Sequence, residues 1–184
     1  KGLNMEKKNF SVGVRIEHLQ KDIDKSQYGK SAELMRELNG AADYKLSHRA
    51  SNGRGVYTFC MCPGGFVVGA ASEEGHLVTN GMSNFDRAGQ NANAALLVSV
   101  TPEDFPGDNV LSGVEFQRKI EESAFLAGGG NWRAPCQLVG DFLLGQESNS
   151  VGRIEPSFSN GFALTDFNSI LPKEVAADLK EGIP

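Results

Sequence analysis

Cys60-Met61-Cys62 is the first stretch whose residue types and spacing invite a chemical reading. Side chains alternate along a strand, so both thiols are expected on one face. Such a pair could be a redox couple or half of a metal site. Tetrahedral zinc needs two further ligands at workable spacing. The third cysteine, Cys136, and the histidines His18, His48 and His76 are scattered, so no metal is expected. A C-x-C disulfide is strained, and the plain alternative makes one or both cysteines small buried hydrophobes. Glu17-His18, at a strand end, could serve as a general acid or base, which makes His18 a catalytic candidate beside Cys60 and Cys62. The structural alternatives are a Glu17–His18 hydrogen-bonded pair and an ion pair between Arg15 and Glu17, which point the same way.

The glycines argue against a phosphate cradle. Pro63-Gly64-Gly65 joins strand to strand, whereas a dinucleotide site needs G-x-G-x-x-G opening a helix. Gly128-Gly129-Gly130 closes a helix, and there is no G-x-S-x-G for a serine nucleophile. Nothing in these residues binds FAD or NAD in the usual way.

The elements around these residues read as follows. Residues 54–62, 65–72 and 76–79 are expected to form a three-stranded meander, rich in Val, Phe, Tyr and Thr. Its turns are Pro63-Gly64-Gly65 and Glu73-Glu74-Gly75, with Asn80-Gly81 closing it. Residues 10–18 alternate apolar and polar as a half-buried strand, in which Gly13 marks a bulge or a close approach to the backbone. A weaker strand covers 42–48, and a strand buried on both faces covers 91–101. Short helices are expected over 19–28 and 31–39. Capping signals at Thr101 and Ser112 open helical segments, the second running to about Ala127. Pro135 opens a helix over 136–144, residues 146–161 read as an exposed loop, and short helices start near Thr165 or Asp166 and at Pro172. Strands first and helices later predict an α+β fold, with a largely antiparallel sheet, open or curled into a partial barrel, and helices concentrated in the C-terminal half.

A chain of 184 residues is enough for a single domain with a real core. The net charge of -5 argues against a nucleic-acid surface. No run of about 18 apolar residues could span a membrane. Three cysteines make a disulfide framework implausible and a reducing cytoplasm the default. There is no Met at position 1, and the chain stops directly after a helix, so a fragment of a longer protein is expected.

Six strings then carry a resemblance: FSVGVRIEH at 10–18, CMCPGG at 60–65, TNGMS at 79–83, NANAALLV at 91–98, GVEFQR at 113–118 and APCQLVGDF at 134–142. Together, and in this order, they resemble the uncharacterised bacterial FAD-dependent dehydrogenases, often labelled NAD- or FAD-utilising dehydrogenases. The resemblance covers nearly the whole chain. It implies a longer polypeptide whose two-part, Rossmann-like FAD-binding domain is interrupted by an inserted domain, and this chain resembles the insert. It further implies a flavin-dependent oxidoreductase with an unknown small-molecule substrate, NADH or NADPH as optional co-substrate, and the FAD-binding domain of the same chain as partner. The fragment alone is expected neither to retain FAD nor to turn over. The insert of such a flavoprotein covers the reactive face of the isoalloxazine. That makes Pro63, Gly64, Gly65, Asn80 and Gly81 candidates to face the flavin, with Cys60, Cys62 and His18 as catalytic candidates. The competing expectation is a partner-binding or oligomerisation module without catalytic residues, its polar loops 84–91 and 146–161 exposed.

Overall fold

A computed structural model describes residues 2–183. Strand β1 (Phe10–Leu19) runs into helix α1 (Gln20–Tyr28), which a short 3-10 turn joins to α2 (Ala32–Asn39). Then come β2 (Ser47–Arg49), β3 (Gly55–Cys62), β4 (Gly65–Gly69), β5 (Thr79–Ser83) and β6 (Asn91–Val100). Helix α3 (Ser112–Ala127), strand β7 (Ala134–Cys136), α4 (Val139–Leu144), β8 (Phe162–Leu164) and α5 (Lys173–Gly182) complete the order. The fold is mixed α+β with mainly antiparallel pairing, and no barrel closes among the described residues.

The main sheet has the order β1-β6-β3-β2. Along β6, Ala92, Ala94, Leu96, Val98 and Val100 are all buried on one face. Of these, Leu96, Val98 and Val100, with Val56, pack against Val175, Ala176 and Leu179 of α5, and against Phe105, Phe142 and Leu171. Burial on both faces holds only for Asn91–Ala94; through the apolar run itself Ala95, Leu97 and Ser99 are half-buried, so that stretch is fully covered on one face alone. Gly13 carries no bulge, since β1 and β6 stay in register from Phe10↔Val100 to Leu19↔Asn91. Its glycine serves close approach instead: a side chain there would strike the Leu96 carbonyl.

Several expectations fail for identifiable reasons. The three strands are not one meander: β3 joins the main sheet, while β4 and β5 form a separate two-stranded sheet. The third strand lies at 79–83, so Asn80-Gly81 sits inside β5, opposite Val68 and Val67, and is not a turn. The cysteines do not share a face. One extra residue enters β3 between Phe59, opposite Ala95, and Cys62, opposite Asn93. Cys60 takes φ 47°, and this bulge leaves it exposed while Cys62 is buried. The strand expected over 42–48 is confined to Ser47–Arg49. Residues 134–136 form a strand parallel to β8, and α4 starts only at Val139, because Pro135 sits in an edge pairing and opens no helix. Ser112 does not cap α3: it lies inside the helix with its hydroxyl buried and unpartnered. The 146–161 segment is not uniformly exposed, because Ser148 and Phe158 are buried in it.

Candidate functional site

The bulge in β3 turns the Cys60 carbonyl toward β1, where Arg15 meets it. The Arg15 guanidinium donates to that carbonyl at 3.3 Å, to Asn93 Oδ1 at 2.5 Å and to Asn80 Oδ1 at 3.3 Å. The Cys62 sulfur lies 3.9 Å from Nη1. Gly81 is glycine because the guanidinium and the Asn93 amide fill the place a Cβ would take. Strands β1, β3, β5 and β6 thus converge on one arginine, and the fold unites Cys60, Cys62, Asn80 and Gly81 around it. No Arg15–Glu17 ion pair forms: the carboxylate of Glu17 instead accepts from the Ser157 N–H at 3.1 Å, the Ser157 hydroxyl at 2.5 Å and Asn91 Nδ2 at 3.1 Å.

His18 lies apart. Alternation sends it to the other face of β1, where its Nε2 and the Tyr44 hydroxyl are 2.8 Å apart. No Glu17–His18 pair exists. Burial lowers the His18 pKa against the opposing pull of Asp22 and Glu17, and burial pushes the Tyr44 hydroxyl up to about 12. Burial also raises the Cys62 thiol, which donates to the Cys60 carbonyl at 3.3 Å, and lifts Cys136 to about 11. Neither of these thiols is poised as a thiolate.

Pro63, Gly64 and Gly65 are buried beneath the chain's own loop. The Gly64 N–H donates to Gln20 Oε1 at 2.6 Å, and its carbonyl accepts from the Gly89 N–H at 3.1 Å. Gly64 has φ 54°, and a Cβ would collide with the Arg87 carbonyl. Gln20 is itself 1% exposed; its amide donates to Asp24 Oδ1 at 2.7 Å and to the Ala42 carbonyl at 2.9 Å. Burial pulls the Asp24 pKa upward, but the Ala42 N–H, the Gln20 amide and Arg36 outweigh it and hold the carboxyl below its ordinary range. These bonds tie the turn to α1 and to the segment after α2.

Sequence reasoning missed two adjoining cavities. Strand β1 is the outer strand of its sheet and pairs only with β6 among the described residues. Along its free edge runs a cavity of about 400 Å³, walled by Val12, Val67, Leu97, Ile120, Phe158 and Phe167 among others. A second cavity of about 450 Å³ adjoins it under α4. Arg15, Glu17, Cys136 and Gln137 line both. The one signal available was Arg15-Glu17 on an alternating strand, two charges on a face that proves half-buried.

An outer strand thus runs beside an apolar cavity, with Arg15 where the two cavities adjoin, and the chain belongs to the family described as FAD-dependent protein, C-terminal domain-like, which it matches over residues 9–184. It is also 50% identical over 182 residues to an uncharacterized protein of Clostridium beijerinckii (strain ATCC 51743 / NCIMB 8052), covering 98% of this chain and 34% of that relative. The chain therefore spans about a third of the length of the relative it matches.

These residues do not fit a cradle for FAD. The Gly64 N–H is already bonded to Gln20, and the glycines at 128–130 follow the end of α3, so neither glycine run offers a helix N-terminus to a phosphate. No helix among the described residues is long and apolar enough to cross a membrane, and no group of His, Cys, Asp and Glu among them could hold a metal ion.

Proposed function

We propose that this domain covers the substrate site of an FAD-dependent oxidoreductase, inserted into the FAD-binding part of the same polypeptide. The observation that carries this reading is the cavity of about 400 Å³ along β1, apolar with a few convergent polar groups, as small-molecule sites are. The family and the threefold longer relative support it. Bound FAD would supply the electron chemistry; this chain excludes water and orients the substrate. Cys60, Asn80 and Gly81 would lie toward the flavin, around Arg15. Pro63, Gly64 and Gly65 would act from beneath, setting the backbone at the bulge. His18, bonded to Tyr44 on the other face, would act only through an opening between the domains. Three free cysteines suit a reducing cytoplasm.

The test uses the full-length protein, loaded with FAD and made anaerobic. Bleaching of the flavin by NADH or NADPH identifies the electron donor, and an unbleached flavin assigns that role to an organic substrate. The covering role predicts that replacing Ala124, on the cavity wall, by Phe slows reduction or reoxidation at least tenfold. An unchanged rate in both directions would remove the cavity from the reaction. A second reading, docking of a partner or a second copy, draws on the exposed Leu138 before α4 and Val139, Leu143 and Leu144 within it. Sedimentation of the full-length protein tests it: a dimer dispersed by Leu144→Asp favours that reading.

A further inference from the structure

We propose that the cavity along β1 takes an apolar carboxylic acid, with Arg15 as the residue that recognises the carboxylate; this rests on the substrate-covering reading. Arg15 is half-buried, and the ion pairs found among the described residues leave it out. Its partners are neutral oxygens of Asn93, Asn80 and Cys60, all bonded to Nη1 and Nη2. They fix the guanidinium without neutralising it, and Nε–H has no partner among the described residues. A charge withdrawn from water without a counter-charge is costly, and a planar fork of donors fits a carboxylate. A second observation points the same way. Asn93 is 0% exposed, and its Nδ2, beside the same guanidinium, has no acceptor. This corner of the molecule has more donors than oxygens to receive them.

The remainder of the cavity defines the rest of the ligand. Val12, Leu97, Ile120 and Phe158 offer hydrocarbon. Glu17 would be the partner for an ammonium, but Ser157 and Asn91 already occupy its oxygens. Glu121, the other acid on the wall, accepts from Gln117 at 2.7 Å. The hydrocarbon wall and Arg15 together select a carboxylate with an apolar tail.

The probes are hexanoate and hexanamide, titrated calorimetrically into the full-length, FAD-loaded protein while the flavin spectrum is followed. Hexanoate is expected to bind at least tenfold more tightly than hexanamide. Arg15→Met should bring the two within about twofold, and Arg15→Lys should lie between. Gly81→Ala, which keeps the arginine but displaces its guanidinium, should weaken hexanoate about fivefold and leave hexanamide alone. Equal affinities for acid and amide, no binding of hexanoate at millimolar concentration, or an Arg15→Met protein that binds hexanoate as before would each overturn the proposal. A flavin spectrum perturbed by hexanoate supports both the carboxylate site and the covering role. Binding without a spectral change upholds recognition by Arg15 and overturns the covering role alone.

Discussion

The Pro63–Gly65 turn and the free edge of β1 sit close together and solve opposite problems. At the turn, the Gly64 N–H and C=O are both bonded within the chain, and the glycine leaves no room for a side chain. Along β1, one side of a ten-residue strand faces cavities, and Arg15 has no counter-charge among the described residues. A closed region contributes stability; an open one leaves space and an unmatched charge. The contrast moves attention from the conspicuous C-x-C-P-G-G string to an unremarkable alternating strand.

The contrast can be broken most sharply at Gly64. Replacement by Val combines a positive φ with a collision against the Arg87 backbone, and should cost about 3–5 kcal/mol in urea unfolding. A loss below about 1 kcal/mol would mean the turn is not the rigid element. Next comes Gln20→Leu, which strands the Gly64 N–H and the Ala42 carbonyl and should cost about 2–3 kcal/mol by the same measurement. On the open side, Ala124→Leu should change stability by no more than about 1 kcal/mol, because the cavity receives the added volume; overpacking a filled core costs about 1–3 kcal/mol. A large loss there would show the cavity to be filled in solution.

Two smaller effects sharpen the same picture. His18 has its folded pKa below its ordinary 6.5, so the unfolded chain binds a proton first as pH falls. Stability should therefore decline with falling pH from about 6.5 to the folded value, and His18→Gln should flatten that slope. Asp24, held below its ordinary 3.8, stabilises above that pH and loses its contribution as pH falls through its folded value. At neutral pH, iodoacetamide should label Cys60 and spare Cys62 and Cys136, as read by peptide mass. Cys60 is exposed, while burial raises the other two thiols.

Much of this was legible in the residues. The alternation at 10–18, the apolar run at 91–101, the Thr101 capping box and the helix ending at Ala127 all read correctly, because local period and capping chemistry determine them. The site was legible only in part. Cys60, Cys62, Asn80 and Gly81 do come together, but the bulge that separates the thiols and the strand that holds Asn80-Gly81 arise from pairing partners distant in sequence. Ala134–Cys136 pairs with a strand some twenty-five residues away, and no local pattern announces a parallel contact of that kind. The cavity is a space between elements, so no single stretch encodes it.

The β1–β6 register has a consequence for how the chain reaches this form. Every one of its pairs, from Phe10↔Val100 to Leu19↔Asn91, closes more than seventy residues of chain. During synthesis β1 must wait, unpaired, until β6 has left the ribosome, and its sheet face stays uncovered until α5 follows. Sheets joined over such separations form in milliseconds to seconds, well after local helices. The edge that would receive a ligand is thus also the segment exposed longest to unwanted strand pairing. The charges of Arg15 and Glu17 along it, spaced by one residue, oppose such pairing while the chain is still incomplete.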